Sequence, residues 1–299
     1  MMGKTSIEWC TDVWNPVTGC TKVSLGCKNC YAERVFPRAY GRERKFTDVM
    51  THSDRLDQPL HWRKPRRIFV NSMSDLFHES VPEEFIDQVW AVMALSPQHC
   101  FQILTKRPER MRNYLDIRRG EKLRYNRLLI ECNNIRHKHP KRQLGSIPVS
   151  NPILWPLPNL WLGISAENQE MWKDRWDSLR CIWGYHTFLS YEPALGPLEF
   201  RPCRACNHPG NVLEWPCSYC KGRRFEMPDW VIAGGESGPN ARPCDLAWIR
   251  FVRDQCRAAA VPFFYKQGGS SNSCEHDRKG GHFDCFPSNL KIREFPTCP

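Results

Sequence analysis

The chain has 299 residues, 41% of them hydrophobic and 25% charged, with a formal net charge of +11 from 43 Lys+Arg against 32 Asp+Glu. That length suits one large barrel-type domain or two ordinary ones. The sequence has no run of about 18 apolar residues and opens without the apolar stretch of a secretory signal, so no membrane partner and a cytoplasmic setting are expected. The excess of positive charge favours a polyanionic partner such as nucleic acid, although a basic surface can also serve only solubility.

Sixteen cysteines are present. In a reducing compartment clustered cysteines more often hold metals than disulfides. The first cluster lies in GCTKVSLGCKNCYAERV (19–35), where Cys20, Cys27 and Cys30 are spaced C-x6-C-x2-C. Gly19 and Gly26 precede two of them and allow a tightly curved loop. YAERVF has helical character, so Cys27 and Cys30 can face one centre, and the helix start would offer backbone N–H groups to an anionic cluster. A cubane cluster has four irons, each normally taking one cysteine, so three cysteines leave one iron open. Zinc completed by a ligand from elsewhere, such as Cys10, and a loop of unliganded thiols are the other readings.

Further along, apolar runs alternate with helical patterns. RIFVNS (67–72) reads as a strand and PEEFIDQVWAVMALS (82–96) as a helix, with Pro82 as its first residue and Glu83 and Glu84 in the first turn. CFQILT (100–105), LWLGIS (160–165), HTFLSYE (186–192), DWVIAGG (229–235) and VPFFYK (261–266) read as strands. NQEMWKDRWDSLR (168–180) and DLAWIRFVRDQCRAAA (245–260) read as helices. Such alternation predicts an α/β fold with a parallel sheet, a partial or complete (β/α) TIM-type barrel, with a doubly wound sheet as the alternative.

Polar residues recur just past these strands: Ser72, Ser74 and Asp75; Thr105, Lys106 and Arg107; Ser165 and Glu167; Ser190 and Glu192; Gly234, Gly235, Glu236 and Ser237; Lys266 and Gln267. In a barrel those strand ends converge on one mouth. Lys106 and Arg107 suit a phosphate or carboxylate, or they simply start the next helix in solvent. Lys266 suits an anion likewise. Glu167 and Glu192 suit ribose hydroxyls, proton relay or helix capping.

Two segments interrupt the series. Residues 116–159 are too long for a simple βα connection. They hold a basic stretch in which Leu128, Leu129 and Ile135 suggest a helix, followed by the proline-rich SIPVSNPILWPLPN, read as extended. Residues 201–225 carry C-x2-C-x10-C-x2-C at Cys203, Cys206, Cys217 and Cys220. This spacing fits a structural zinc ribbon with four thiolates, or else a second iron centre. Arg201 and Arg204 and the KGRRF that follows it suit phosphate contacts. The expected organisation is a barrel with a basic insertion over 1–200, the ribbon over 201–225 and barrel completion over 226–299. Most of the scattered Cys10, Cys100, Cys132, Cys181, Cys244, Cys256, Cys274, Cys285 and Cys298 read as ordinary buried residues.

The blocks WNPVTGCTKVSLGCKNCYAE (14–33), IFVNSMSDLFHE (68–79), FQILTKRPERM (101–111), NLWLGISAENQ (159–169), LSYEPALGPL (189–198), DWVIAGGESGPNARP (229–243) and FYKQGG (264–269) resemble the phage-associated three-Cys-motif proteins. Those proteins in turn resemble radical S-adenosylmethionine (SAM) enzymes, whose common spacing is C-x3-C-x2-C; here the first gap is three residues longer. LTKRP (104–108) resembles the spore photoproduct lyase branch of that group. The resemblance implies a radical SAM-type barrel, encoded by a phage or prophage in a bacterial host, with a 4Fe-4S cluster on Cys20, Cys27 and Cys30. SAM on the open iron would give a 5′-deoxyadenosyl radical, with a separate electron donor and a possible protein partner. By the same resemblance Ser72, Ser74 and Asp75 would contact SAM, as would Gly234, Gly235 and Glu236, although GGES (234–237) comes later in the chain than the family's Gly-Gly-Glu. The cofactor would carry the hard chemistry and the protein its binding and shielding. Lys106, Glu167, Glu192, Glu236 and Lys266 are the candidate catalytic residues. The expected substrate is a nucleic acid or nucleotide, in repair or modification; a metal-stabilised nucleic-acid-binding protein is the alternative.

Overall fold

The computed structural model describes residues 5–115, 121–142, 144–145, 156–203, 225–275 and 277–297. Cys206, Cys217 and Cys220 of the expected ribbon lie outside the described residues, as does most of the proline-rich segment. The chain divides into two compact units. One comprises Met1–Ile164, Asp174–His186 and Thr297–Pro299; the other comprises Ser165–Lys173 and Thr187–Pro296.

The first unit begins with strands β1 (Asp12–Trp14) and β2 (Val17–Thr18) and helix α1 (Tyr31–Tyr40). Strands β3 (Met50–Thr51) and β4 (Arg67–Val70), helix α2 (Glu83–Ala94) and strand β5 (Cys100–Thr105) follow. Helices α3 (Pro108–Leu115) and α4 (Glu121–Lys138) then lead to β6 (Leu160–Ser165). Strands β1, β4, β5 and β6 are parallel neighbours in that order, while β2 and β3 form a separate antiparallel pair. Every residue of β6 is buried and β5 is nearly so. This is why both strands read as continuous apolar runs. Helix α2 buries Phe85, Ile86, Val89 and Trp90, and Trp90 and Tyr114 pack with ring centroids 5.2 Å apart. Pro82 stands one residue earlier than expected, as the N-cap with ψ 144°. Helix α4 occupies part of the basic segment and packs on α2, with Leu128 and Cys132 buried.

Helix α5 (Gln169–Leu179) starts in the second unit and ends in the first. The second unit continues with β7 (His186–Tyr191, all but its first residue), β8 (Trp230–Gly234), α6 (Leu246–Ala258) and β9 (Phe263–Gln267). Strands β7, β8 and β9 are parallel neighbours in order. Asp245 caps α6 through Oδ1, which accepts from the Ala247 N–H at 2.8 Å. Asp245→Ala is expected to cost about 1 kcal/mol, read as a lowered urea midpoint, because one helix-terminal N–H loses its partner.

The C-terminal segment, whose role the sequence leaves open, covers β9. Phe264 bridges Arg293, the Phe263 N–H donates to Glu294 at 2.9 Å, and the Trp230 indole donates to the Glu294 carbonyl at 3.0 Å. The Arg293 guanidinium lies over the rings of Phe264, Phe283 and Phe286, so the strand edge is shielded from other strands.

The whole chain is therefore α/β, with helices between parallel strands as the sequence predicts. Seven parallel strands are described, a partial (β/α) series. No helix among the described residues is long and apolar enough to cross a membrane. Of the scattered cysteines, Cys10, Cys100, Cys132, Cys244 and Cys256 are buried as expected. Cys181 is exposed, and Cys274 is disulfide-bonded to Cys285, because the loop between them brings their Cα atoms to 6.3 Å.

Candidate metal centre and the networks that position it

The cysteine loop starts at the carboxyl end of β1 and is laced to the residues after β4. Asn15 Oδ1 accepts from Ser72 Oγ at 3.2 Å and the Met73 N–H at 3.1 Å. Asn71, held at φ 62°, accepts the Val17 N–H at 3.2 Å, and Ser74 Oγ donates to the Val17 carbonyl at 2.8 Å. Gly19 has φ +89°, and a Cβ there would stand 2.6 Å from the Asp48 carbonyl oxygen. The chain can pass that point only without a side chain.

Cys20 follows this turn. Cys27 closes a one-turn 3₁₀ helix (Leu25–Cys27), and Cys30 is the N-cap of α1. All three are half-buried and none is disulfide-bonded. They share an electrostatic neighbourhood: Cys27 acts on Cys20, and Lys22 senses both Cys27 and Cys30. Ala32, Phe36 and Met73 form a buried cluster against which Cys30 and Phe46 pack. It fixes the amino end of α1 at the loop.

Beneath Cys20 lies a buried ion pair. The Asp75 carboxylate accepts from Thr105 Oγ1 at 2.8 and 2.9 Å and from the N–H groups of Phe77 and Lys106 at 3.0 and 3.1 Å. Arg107 reaches Asp75 at 3.4 Å, Glu79 at 3.0 Å, the Thr21 carbonyl at 3.2 Å, Thr21 Oγ1 at 2.9 Å and Cys20 Sγ at 3.5 Å. Arg107 is 7% exposed, so it is neither a solvated helix start nor a free anion receptor. His78 accepts the Ser80 N–H on Nδ1 and meets Thr21 Oγ1 through Nε2 at 2.9 Å. Since Nδ1 accepts, the proton of the neutral ring sits on Nε2. Burial, then the Arg107 charge, keeps His78 below its usual value. Burial first, then Asp75, pushes the Cys20 thiol up to about 11 against the pull of Arg107.

In the second unit Lys266 Nζ stands 3.2 Å from Glu192 Oε1, and Ser190 Oγ donates to Glu192 Oε2 at 3.2 Å. Ser165 Oγ donates to the Glu192 carbonyl at 3.0 Å. Gly234 lies close beneath this pair, and a Cβ there would fall 2.6 Å from Glu192 Oε1, so the carboxylate would have to shift. Glu236 is locked to Arg242, which donates to its two carboxylate oxygens at 2.6 and 2.9 Å. Glu167 is fully buried, close enough for its charge to act on Arg242. A Cβ on Gly235 would lie 2.3 Å from the Gly268 carbonyl oxygen. Gly235→Ala is expected to destabilise by about 1–3 kcal/mol through overpacking, read as a lower midpoint in thermal unfolding.

The structure thus joins Asp75 and Arg107 to Cys20, and Glu192 to Lys266. Ser72 and Ser74 hold the loop backbone. Thr21, His78, Glu79 and Arg242 carry no spacing signal in the sequence. Arg242 stands six residues past Glu236 across a Gly-Pro turn, a spacing with no regular periodicity to announce it.

No curated protein matches this chain. Among solved structures, a spore photoproduct lyase carrying a cysteine-to-serine substitution is similar over 87% of this chain and 75% of that one, at 10% identity and a TM-score of 0.45. The family described as protein of unknown function (DUF5131) matches residues 4–286. That span holds the cysteine loop, the Asp75–Arg107 pair and the Glu192–Lys266 pair, and the chain belongs to this family.

Proposed function

We propose that the chain is a radical SAM-type iron–sulfur enzyme acting on a nucleic acid or nucleotide in the cytoplasm. The observation that carries this reading is the loop after β1. It offers three half-buried thiols without disulfide partners, one of them at the N-cap of a ten-residue helix. The donor set fits a 4Fe-4S cluster on Cys20, Cys27 and Cys30, since thiolates are the usual ligands and the helix amino end favours an anionic group. When bound, such a cluster supplies one electron to a SAM held at its open iron, which generates the radical for hydrogen abstraction.

In this reading Ser72, Ser74 and Asp75 are positioning residues. Their polar atoms hold the loop and Arg107, in place of the direct SAM contact that the resemblance implies. Arg107 ties the Cys20–Thr21 backbone to the strand ends. Glu192 and Lys266 form an acid–base pair available to move a substrate proton, while Glu236 orders the Gly234–Gly235 corner through Arg242. Lys106 would serve a substrate phosphate. The zinc ribbon of Cys203, Cys206, Cys217 and Cys220 stays part of the proposal as a structural module, and turnover needs an external electron donor.

The test is purification without oxygen, followed by iron and sulfide analysis and a SAM-cleavage assay. About four irons per chain with reductant-dependent cleavage are expected; zinc alone at the three-cysteine loop would overturn the reading. The net charge of +11 supports the nucleic-acid substrate. Binding to DNA or RNA is expected to fall roughly a hundredfold between 50 and 200 mM salt if about four phosphates are neutralised. No binding at low salt would remove the polyanion and leave a small nucleotide.

A further inference from the structure

A second cluster of ligating side chains lies in the first unit, away from every cysteine. Asp57 is the N-cap of the 3₁₀ turn Gln58–His61, and His61 is its last residue. His139 comes from the end of α4, where its N–H donates to the Ile135 and Arg136 carbonyls at 3.1 Å. Asp57 Oδ2 stands 3.1 Å from His61 Nε2 and 3.5 Å from His139 Nε2. One ligand atom from each of the three residues lies within 4.8 Å of the others.

We propose that Asp57, His61 and His139 form a binding site for a first-row divalent cation, with zinc as the best fit. The distances carry the argument. Nitrogen and oxygen donors about 2.0–2.1 Å from a tetrahedral zinc stand about 3.3 Å apart, so the two measured edges already have the required length. Two imidazoles and one carboxylate are a borderline-to-hard set that selects such metals over calcium or magnesium. His139 is mostly buried, while the Asp57 and His61 side chains are 42% and 43% exposed. The metal can therefore enter from solvent and complete its shell with water. Both exposed ligands also line a cavity of about 920 Å³ with Asp12, Asn15 and Arg55, which leaves room for a further ligand at the open position. The metal would clip residues 57–61 to the end of α4, two segments that the sequence separates widely.

Arg142 sets the tautomer of the metal-free site. It contacts His61 Nδ1 and donates to the Leu60 carbonyl at 3.0 Å. A guanidinium only donates, so Nδ1 accepts and the proton is on Nε2, facing Asp57. Zinc takes the place of that proton. A neutral imidazole bound through Nε2 carries its proton on Nδ1, so metal binding displaces Arg142 from His61 and leaves it on the Leu60 carbonyl.

The test is cobalt(II) titration of the full-length chain after dialysis against EDTA, since cobalt reports its ligands by colour. Cysteine sites give intense sulfur-to-metal charge transfer, whereas the proposed site gives only weak visible bands. One equivalent of the weak-band form is expected. His61→Ala, His139→Gln and Asp57→Asn should each weaken it at least tenfold, and zinc should compete it away. His61 is exposed enough that its variant keeps the fold, checked by circular dichroism. Arg142→Ala should bind severalfold more tightly, which a metal-free ion-pair cluster would not show. Absence of the weak-band equivalent, its survival in both histidine variants, or weaker binding by Arg142→Ala would overturn the proposal. None of these readouts depends on the cluster at Cys20, Cys27 and Cys30.

Discussion

Cys27→Ala is expected to leave the chain folded and to bring its iron from about four atoms to below about one, with acid-labile sulfide falling in step. Cys27 ends a single 3₁₀ turn that buries nothing, and its backbone N–H donates to the Ser24 carbonyl at 3.0 Å whatever the side chain. Alanine therefore removes Sγ and little else, and the stability change should stay within about 0.5 kcal/mol. The cluster, in contrast, drops from three protein thiolates to two. This makes Cys27 a cleaner probe than Cys20, whose Sγ takes part in the Arg107 network. Zinc bound elsewhere in the chain should be unchanged. Iron content equal to that of the parent would show that Cys27 is not a ligand, and loss of one zinc without any iron in the parent would convert the loop into a zinc site.

What the sequence displays and what it conceals follow from the range of the interactions. Strands β4 to β9 and helices α2, α5 and α6 announce themselves because burial on both faces writes a continuous apolar run, and one-sided burial writes a 3.6-residue period. Strand β1 is three residues long and carries a charge. It exists because Asp12, Val13 and Trp14 pair with Ile68, Phe69 and Val70, a tertiary cause that leaves no local period. The three-cysteine loop is visible because ligand spacing is local. Its support is less visible: Arg107 and Cys20 are 87 residues apart, and LTKRP looks like a solvated helix start until the fold buries it. The trio Asp57, His61 and His139 is silent for the same reason, because His139 comes from a distant helix end, whereas Glu236 and Arg242 are near in sequence but at a spacing with no regular period. The residues past the strand ends are legible as a group, but their division of labour is not. Ser72 and Ser74 are spent on the backbone of the loop, whereas Glu192 and Lys266 meet side chain to side chain.

Arg107→Met is expected to cost about 3–5 kcal/mol, read as a fall in the urea midpoint of the first unfolding transition of the metal-free chain. Methionine keeps much of the aliphatic stem and removes the guanidinium fork. Asp75 is 5% exposed, so without Arg107 it remains a buried carboxylate held by Thr105 and two backbone N–H groups. Dipoles alone offset only part of its desolvation. The same substitution cuts both bonds to Thr21 and the contact with Cys20 Sγ, so cluster loading should fall together with stability. Arg107→Lys should recover little, because a single ammonium cannot reach Asp75, Glu79 and Thr21 at once in the geometry of a fork. The decisive comparison is the double variant Arg107→Met with Asp75→Asn. Removing the orphaned charge should restore part of the lost stability, so the two costs should fall short of additive by more than about 0.5 kcal/mol. A shift below about 1 kcal/mol for Arg107→Met, or simple additivity in the double variant, would mean that solvent reaches the pair and that the loop is anchored by its backbone lacing to Asn15 and Asn71 alone.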